Sequence, residues 1–176
     1  MNIRLYHFFC LLIILLTLNG CGFQLRGYRE GQTIPFHTLY LQSDSPYSNF
    51  NKALRQTLNS LGIDTRVSPS APMTLQILSQ SFNRTITSLG NAGQTTTYLL
   101  SYTVFFRLMD RQQHILLPPH KILVTRNFSI TSNQLSGDLN TQNDLQDEMQ
   151  RDAIQQLITR LSSRALYNQF CQMPAR

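Results

Sequence analysis

Residues 98–108 read YLLSYTVFFRL. The even positions of this run are all apolar: Tyr98, Leu100, Tyr102, Val104, Phe106 and Leu108. Because successive side chains of a β-strand point to opposite faces, the alternation predicts a strand with one buried face. A sheet built around this strand has to cover that face with a second layer of structure.

Three neighbouring segments also carry strand patterns. They are residues 38–43, residues 74–86 and residues 122–130. Residues 88–94 and 110–114 predict connections, and residues 131–142 predict a long polar loop. Residues 63–67 could begin another strand but are not counted among these four.

Two segments change to the helical period. After Ser48, a plausible N-cap, apolar residues recur every three or four positions until Gly62, a plausible residue just past the helix end. Near the C-terminus a stripe at i+4 spacing comprises Leu145, Met149, Ala153, Leu157, Leu161 and Ala165. The order β-α-β-β-β-α therefore predicts an α+β domain with both helices on the apolar face of the sheet.

The N-terminus has the features of an export signal. Phe8 to Leu18 form an apolar stretch of 11 residues after Arg4, too short to span a membrane and typical of a signal peptide. Residues 18–21, LNGC, resemble the bacterial lipobox, which implies cleavage between Gly20 and Cys21. Cys21 would then carry an S-diacylglycerol and an N-acyl group, enough acyl chains for stable anchoring. The alternative is an ordinary secreted chain in which Cys21 is incidental.

These features divide the chain into four parts. We expect a signal peptide at 1–20, a lipidated tether at 21–36, a single domain at 37–168 and a C-terminal tail at 169–176. Gly22, rather than an aspartate, follows the cysteine, which resembles the sorting pattern for the outer membrane of enteric-type bacteria.

Composition and missing motifs exclude several functions. Charged residues make up only 14% of the chain, and the net charge of +6 is scattered without a basic run, which argues against a nucleic-acid partner. The histidines and cysteines lack metal-ligand spacing, and no nucleophile or phosphate-loop motif occurs. We therefore expect no metal, no cofactor and no enzymatic activity.

Several segments together resemble the LptE family of lipopolysaccharide-assembly lipoproteins, formerly rare lipoprotein B. The resemblance begins with residues 21–27, CGFQLRG, at the predicted mature terminus. It continues in order through residues 39–55, 93–98, 116–119 (LLPP), 126–128 and 148–161. It implies two helices on a mixed four-stranded sheet.

The resemblance also implies a function. Family members sit inside the lumen of the outer-membrane β-barrel LptD, support its assembly and assist delivery of lipopolysaccharide to the cell surface. The implied location is the periplasmic side of the outer membrane, with a lipid anchor. The low charge and abundant uncharged polar residues suit a plug in a polar barrel interior.

Lipopolysaccharide phosphates require cations, and five basic residues lie on or between the middle strands. These candidates are Arg84, Arg107, Arg111, Lys121 and Arg126. The alternative for each is a solvated or structurally paired side chain. Two loop positions that are often basic in the family align with Asn91 and Asp138, so no binding role is transferred to either.

Two other functional classes remain as alternatives. One is a scaffold lipoprotein that binds a protein partner of another cell-envelope complex. The other is an envelope hydrolase, which the missing catalytic motifs disfavour.

The lipobox makes a direct prediction about Cys21. Replacing the acylated thiol in a Cys21→Ala variant should leave an unlipidated precursor of higher apparent mass. Metabolic labelling with palmitate measures this, and label that persists in the variant would refute the assignment of Cys21.

Overall fold

The computed structural model describes residues 34–66, 71–90, 95–131 and 135–171. The chain divides into two units, Met1–Gly31 and Gln32–Arg176, and the strands and helices of the described residues all belong to the second unit. Cys21, the predicted cleavage point and most of the predicted tether lie outside the described residues.

The described residues form five strands and three helices. The strands are β1 (Thr38–Ser43), β2 (Asp64–Arg66), β3 (Met73–Leu89), β4 (Thr95–Asp110) and β5 (Ile115–Thr131). The helices are α1 (Asn49–Ser60), α2 (Leu135–Leu161) and α3 (Arg164–Cys171).

All five strands belong to one mixed sheet, in the order β2-β1-β3-β4-β5. Strand β1 pairs in parallel with β2 and β3, whereas β3, β4 and β5 pair antiparallel. The predicted α+β class and the mixed sheet are confirmed. The predicted counts, two helices and four strands, are each one too low for the described part of the chain.

The additional strand and helix have separate physical origins. Strand β2 has only three residues, too few for a period-2 pattern, and it pairs with β1 from Thr38↔Asp64 to Tyr40↔Arg66. Helix α3 is separate because α2 ends at Leu161, four residues before Ala165, the last position of the predicted stripe. At this point the Ser162 hydroxyl donates to the carbonyls of Ile158 and Thr159. Such bonds compete with helix continuation.

The predicted polar loop at 131–142 is wrong over most of its length, because α2 already begins at Leu135. This first part of the helix lacks the apolar stripe on which the sequence prediction depended. At the other end of the fold, Ile34 and Phe36 from the predicted tether are buried in the core. Phe36 contacts Phe170 of α3 at a ring-centroid separation of 6.3 Å, so this contact includes a residue of the predicted tail.

Strand β5 contains Pro118 and Pro119, which a central strand would not tolerate because proline lacks a backbone donor. It pairs only with β4 and is therefore an edge strand. The register shifts between the pairs Phe106↔His120 and Leu108↔Leu117, so the two prolines occupy a bulge in the ladder. This explains how one strand runs through a segment rich in proline.

The core lies between the helices and the even-numbered face of β4. Leu100, Val104 and Phe106 are completely buried there. Helix α2 covers them with Met149, Ala153 and Leu157, which are likewise completely buried. Helix α1 begins as predicted, with the Ser48 hydroxyl accepting from the Asn51 amide, and it ends before Gly62 at φ +79°.

The helices cover one face of the sheet, which we call the covered face. The opposite face, which carries the odd-numbered side chains of β4, is called the open face. By length and hydropathy, none of the helices in the described ranges qualifies as a membrane-spanning segment.

Two adjacent phenylalanines test this division of the sheet. Phe106→Ala should lower the free energy of unfolding by about 3–5 kcal/mol, because a completely buried ring leaves a cavity. The matched control Phe105→Ala removes a ring that is 37% exposed on the open face and should cost less than about 1 kcal/mol. Chemical denaturation measures both, and similar losses would contradict the assignment of the faces.

Candidate functional site

The strand register places four of the five predicted basic residues on the faces of the sheet, and the fifth, Arg111, lies in the turn between β4 and β5. Residues paired directly across an antiparallel ladder share a face. Leu100, on the covered face, pairs with Arg84 on one side and with Arg126 on the other. Arg107 pairs with Gln76, and Lys121 pairs with Phe105, both on the open face. The structure therefore does not bring the five candidates into one site.

Arg84 is engaged in contacts on the covered face. Its Nη1 donates to Oε1 of Gln142 on α2 at 2.8 Å. Its guanidinium lies over the Tyr98 ring, 4.7 Å from the centroid. This side chain therefore links the C-terminal half of β3 and the first residues of β4 to the first part of α2. The Arg84 side chain is nevertheless exposed to solvent.

Arg126 is also paired on this face. Its Nη2 forms an ion pair with Asp152 of α2, and Glu148 lies 3.9 Å away. Its Nη1 donates to the Thr125 carbonyl at 3.0 Å. These partners make Arg126 a link between β5 and α2, which supports the paired alternative for this candidate.

The other three candidates lie near the connection between β4 and β5, and we call them the hairpin basic group: Arg107, Arg111 and Lys121. Arg107 is half-buried, and its Nε donates to Oε1 of Gln76 at 2.6 Å. Arg111 is exposed in the turn, and Lys121 is exposed with its Nζ 6.0 Å from the Phe105 centroid. Within the described residues, no carboxylate pairs with any of these three cations.

Asp110 organises the turn that presents Arg111. One carboxylate oxygen accepts from the backbone amides of Gln112 and His114, each at 2.8 Å, and the other lies 3.0 Å from His114 Nδ1. Desolvation by itself would raise the pKa of Asp110. The hydrogen bonds from His114 and Gln112 outweigh it and hold the pKa below its ordinary value. Gln113 completes the turn in the left-handed region at φ 65°.

The open face of β3, β4 and β5 is largely polar and uncharged. Its side chains include Gln76, Ser79, Ser81, Asn83, Ser101, Thr103, Thr125, Asn127 and Ser129. Phe105 and Leu123 interrupt it with exposed apolar surface. This face offers many hydrogen-bond donors and acceptors that carry no charge.

A cleft on the covered face was not predicted. The side chains of Gln80, Gln146 and Gln150 converge there with Tyr102. The only available sequence signal was the i, i+4 spacing of Gln146 and Gln150 beside the apolar stripe. Burial raises the pKa of Tyr102, so its hydroxyl remains protonated and can donate.

The described residues contain no group of three or more His, Cys, Asp or Glu side chains placed to hold a metal ion. The arrangement instead offers cations on an open sheet face and neutral hydrogen-bonding groups on both faces. These groups lie on a one-sided α+β sandwich and can make non-covalent contacts.

Residues 36–161 match the model of a family described as LptE, lipopolysaccharide-assembly, so the chain belongs to the LptE family. Membership makes it a lipopolysaccharide-assembly lipoprotein of a non-catalytic family, consistent with a location in the cell envelope.

Solved structures share the fold. An uncharacterized lipoprotein B from Nitrosomonas europaea is 22% identical with a TM-score of 0.69, covering 88% of this chain and 99% of its own. The rare lipoprotein B from Shewanella oneidensis is 20% identical with a TM-score of 0.62, covering 71% of this chain and 93% of its own. A minor lipoprotein from Acinetobacter baumannii is 23% identical with a TM-score of 0.51, covering 76% and 92%.

The turn geometry predicts a pH-dependent contribution from Asp110. A carboxyl with a lowered pKa in the folded state stabilises the fold above its ordinary pKa, and this stabilisation is lost as the pH falls through the lowered value. Asp110→Asn should therefore reduce the free energy of unfolding at pH 7 by less than about 1 kcal/mol. The difference from the wild type should shrink in acid.

Denaturation curves collected between neutral and acidic pH measure this difference. Asp44→Asn is the matched control, because Asp44 is exposed and its replacement should have little effect at any pH. A loss of stability for Asp110→Asn that is independent of pH would contradict the role of the carboxylate charge.

Proposed function

We propose that this chain is an outer-membrane lipoprotein that plugs the LptD β-barrel, supports its assembly and assists delivery of lipopolysaccharide to the outer leaflet. In this proposal Cys21 is the acylated N-terminal residue after cleavage behind Gly20, and the anchored domain acts without catalysis. Family membership supplies the lipopolysaccharide-assembly role, and the surface of the domain supports the finer assignment.

The observation that carries the proposal is the uncharged polar character of the open face away from Arg107 and Lys121. Large outer-membrane barrels have polar interiors. A plug must therefore match polar groups with polar groups, and unpaired charges trapped at such a contact would cost desolvation energy. Neutral hydroxyl and amide side chains on β3, β4 and β5 meet that requirement. The exposed rings and aliphatic groups of Phe105 and Leu123 add apolar contact area.

Binding of lipopolysaccharide also requires cations for its phosphate groups. Among the five candidates, Arg84 and Arg126 contact residues of α2, which leaves the hairpin basic group with cations that no described carboxylate neutralises. Arginine and lysine side chains in this state can form charge-assisted hydrogen bonds with phosphate. We assign phosphate contact to Arg107, Arg111 and Lys121.

Co-purification tests the function. The tagged full-length protein, isolated from its native membrane in mild detergent, should recover the LptD barrel in stoichiometric amount. Recovery without a large β-barrel, or with another envelope complex, would support the scaffold-lipoprotein alternative and overturn the proposal.

A triple replacement tests the phosphate contacts. Changing Arg107, Arg111 and Lys121 to glutamine should weaken lipopolysaccharide binding about tenfold, because three solvent-accessible contacts of about 0.5 kcal/mol each give that factor. The dissociation constant of the purified, folded lipoprotein measures the effect at a fixed moderate salt concentration.

The matched control removes the same charge from the helices. Lys52, Arg151 and Arg164 are exposed there, and their triple glutamine variant should bind almost normally. Equal weakening in both variants would show that only net charge matters. Unchanged binding in the first variant would show that its three cations are merely solvated, and loss of the barrel from it would assign them to the plug contact.

A further inference from the structure

Strand β5 is the longer of the two edge strands of the sheet. It has 17 residues, whereas the opposite edge strand, β2, has only three. From Thr95↔Thr131 to Phe106↔His120 the ladder between β4 and β5 runs without a shift in register. One side of β5 is therefore paired over a long regular stretch, and its other side forms the edge of the sheet.

Two hydrogen bonds of β4 determine which of its backbone groups point toward β5. The Thr95 carbonyl accepts from the Gly90 amide at 2.7 Å, and the Thr97 carbonyl accepts from the Thr87 hydroxyl at 3.2 Å. Thr87 lies in β3 and Gly90 follows it, so the odd-numbered residues of β4 direct their backbone groups toward β3. Because the direction alternates along a strand, the even-numbered residues direct theirs toward β5.

The register transfers this alternation to β5. Even-numbered residues pair with even-numbered residues over the regular ladder, so the backbone groups of odd-numbered β5 residues point away from the sheet. The Thr97 and Ser129 hydroxyls lie 3.0 Å apart, in agreement with the closer side chains of a pair that is not hydrogen-bonded. We call residues 123–129 the exposed edge; its outward-pointing residues are Leu123, Thr125, Asn127 and Ser129.

Within the described ranges, one side chain bonds to the exposed edge. Arg126 Nη1 donates to the Thr125 carbonyl at 3.0 Å. No other described group bonds to the outward N–H and C=O groups of Leu123, Asn127 or Ser129. A row of such backbone groups is a template for pairing with another strand.

The features that normally protect a sheet edge are confined to one end of β5. Prolines, bulges and lysines discourage an edge strand from pairing with another chain. Here Pro118 and Pro119 occupy the bulge, and Lys121 follows them. Residues 123–129, LVTRNFS, contain no proline, glycine or lysine. The part of β5 beyond Lys121 is therefore suited to accept a strand.

The side chains beside the exposed edge indicate the chemistry of that strand. On the open face, Leu123 is 49% exposed and Phe105 is its diagonal neighbour, so an apolar side chain of the added strand gains contact area there. The other open-face side chains of the exposed edge are hydroxyl and amide groups. On the covered face, carboxylates of α2 already pair with Arg126. The strand that fits is uncharged, with an apolar side chain next to Leu123.

A second copy of this chain fits the exposed edge poorly. The antiparallel register that pairs all the outward residues places Leu123 opposite Ser129 of the copy and Thr125 opposite Asn127. Arg126 then lies directly opposite the same arginine of the copy. Like charges directly opposite each other destabilise a strand pair, so the charge pattern favours a different polypeptide.

We propose that the exposed edge of β5 binds an uncharged, extended segment of a partner polypeptide, which adds to the five-stranded sheet as a further strand. Its backbone bonds to the outward N–H and C=O groups, and an apolar side chain contacts Leu123. The assignment of this segment to the barrel polypeptide rests on the proposed function. Because the wall strands of a closed barrel pair with one another, the segment belongs to a loop or a terminal stretch of that polypeptide.

Amide hydrogen exchange tests whether the edge is available in the purified lipoprotein. The outward amides should exchange at least about tenfold faster than those of Val124 and Phe128, which face β4, and they should slow by a similar factor in the complex with the barrel. Slow exchange of the outward amides in the isolated monomer would show that the edge is already paired and would overturn the proposal.

Asn127→Pro is the decisive variant. Proline removes an outward N–H and places its ring in the path of the incoming strand, whereas the ladder with β4 keeps its N–H donors. Tagged, full-length Asn127→Pro should recover about tenfold less barrel from the native membrane than the wild type does. The matched control Asn127→Ala keeps the N–H and should recover the barrel almost normally.

A second variant leaves the backbone unchanged. Thr125→Lys adds a lysine of the kind that protects natural edges, so it should also lower the recovery of the barrel, whereas Thr125→Ser should not. Circular dichroism establishes that each variant is folded. If Asn127→Pro does not fold, the comparison of Thr125→Lys with Thr125→Ser decides.

The outcomes separate this inference from the proposed function. Normal recovery of the barrel by the folded edge variants would overturn the edge site and leave the proposed function standing. Failure of the wild type to recover a barrel would overturn both. Equal loss of the barrel in Asn127→Ala would assign the effect to the side chain and overturn strand addition. A wild-type dimer that Asn127→Pro dissociates, measured by light scattering, would assign the edge to a second copy and overturn the partner segment.

Discussion

The contact between the even-numbered face of β4 and the apolar stripe of α2 determines the chemistry of the rest of the molecule. Leu100, Val104 and Phe106 on the strand and Met149 and Leu157 on the helix are completely buried. Burial on this scale, at about 25 cal/mol per Å² of apolar surface, fixes which face of each strand points inward. A shift of the strand register by one residue would move each side chain to the opposite face of the sheet. The register of β4 therefore determines which side chains of the sheet lie on the covered face and which lie on the open face.

The positions of the arginines show how the register sets the environment of a charged side chain. Arg84 and Arg126 share the covered face with Leu100, where α2 lies beside them, and both contact polar side chains of that helix. Arg107 has the opposite parity on β4 and lies on the open face. Position along the strand therefore decides whether a cation supports the packing of α2 or is presented to a partner.

The sequence predicted those elements that have a long, regular pattern. The alternation of β4 and the caps of α1 at Ser48 and Gly62 gave correct elements, because local side-chain geometry alone determines them. The start of α2 was missed because its first residues show no apolar stripe. Strand β2 lies within residues 63–67, which the sequence offered only as the start of a further strand and which were left out of the count, because its three residues are ordered by pairing with β1, a non-local interaction. The cleft was missed for the same reason, since its glutamines come from β3 and α2.

The separation of the basic residues limits how one molecule of lipopolysaccharide could contact them. Arg84 and Arg126 lie on the covered face, whereas Arg107 and Lys121 lie on the open face. The sheet is continuous between them, so a ligand that touches both faces must extend around an edge. A long saccharide chain can do this and a compact lipid headgroup cannot. A phosphate that reached Arg126 would have to displace the Asp152 carboxylate, whereas the hairpin basic group has no described carboxylate partner to displace.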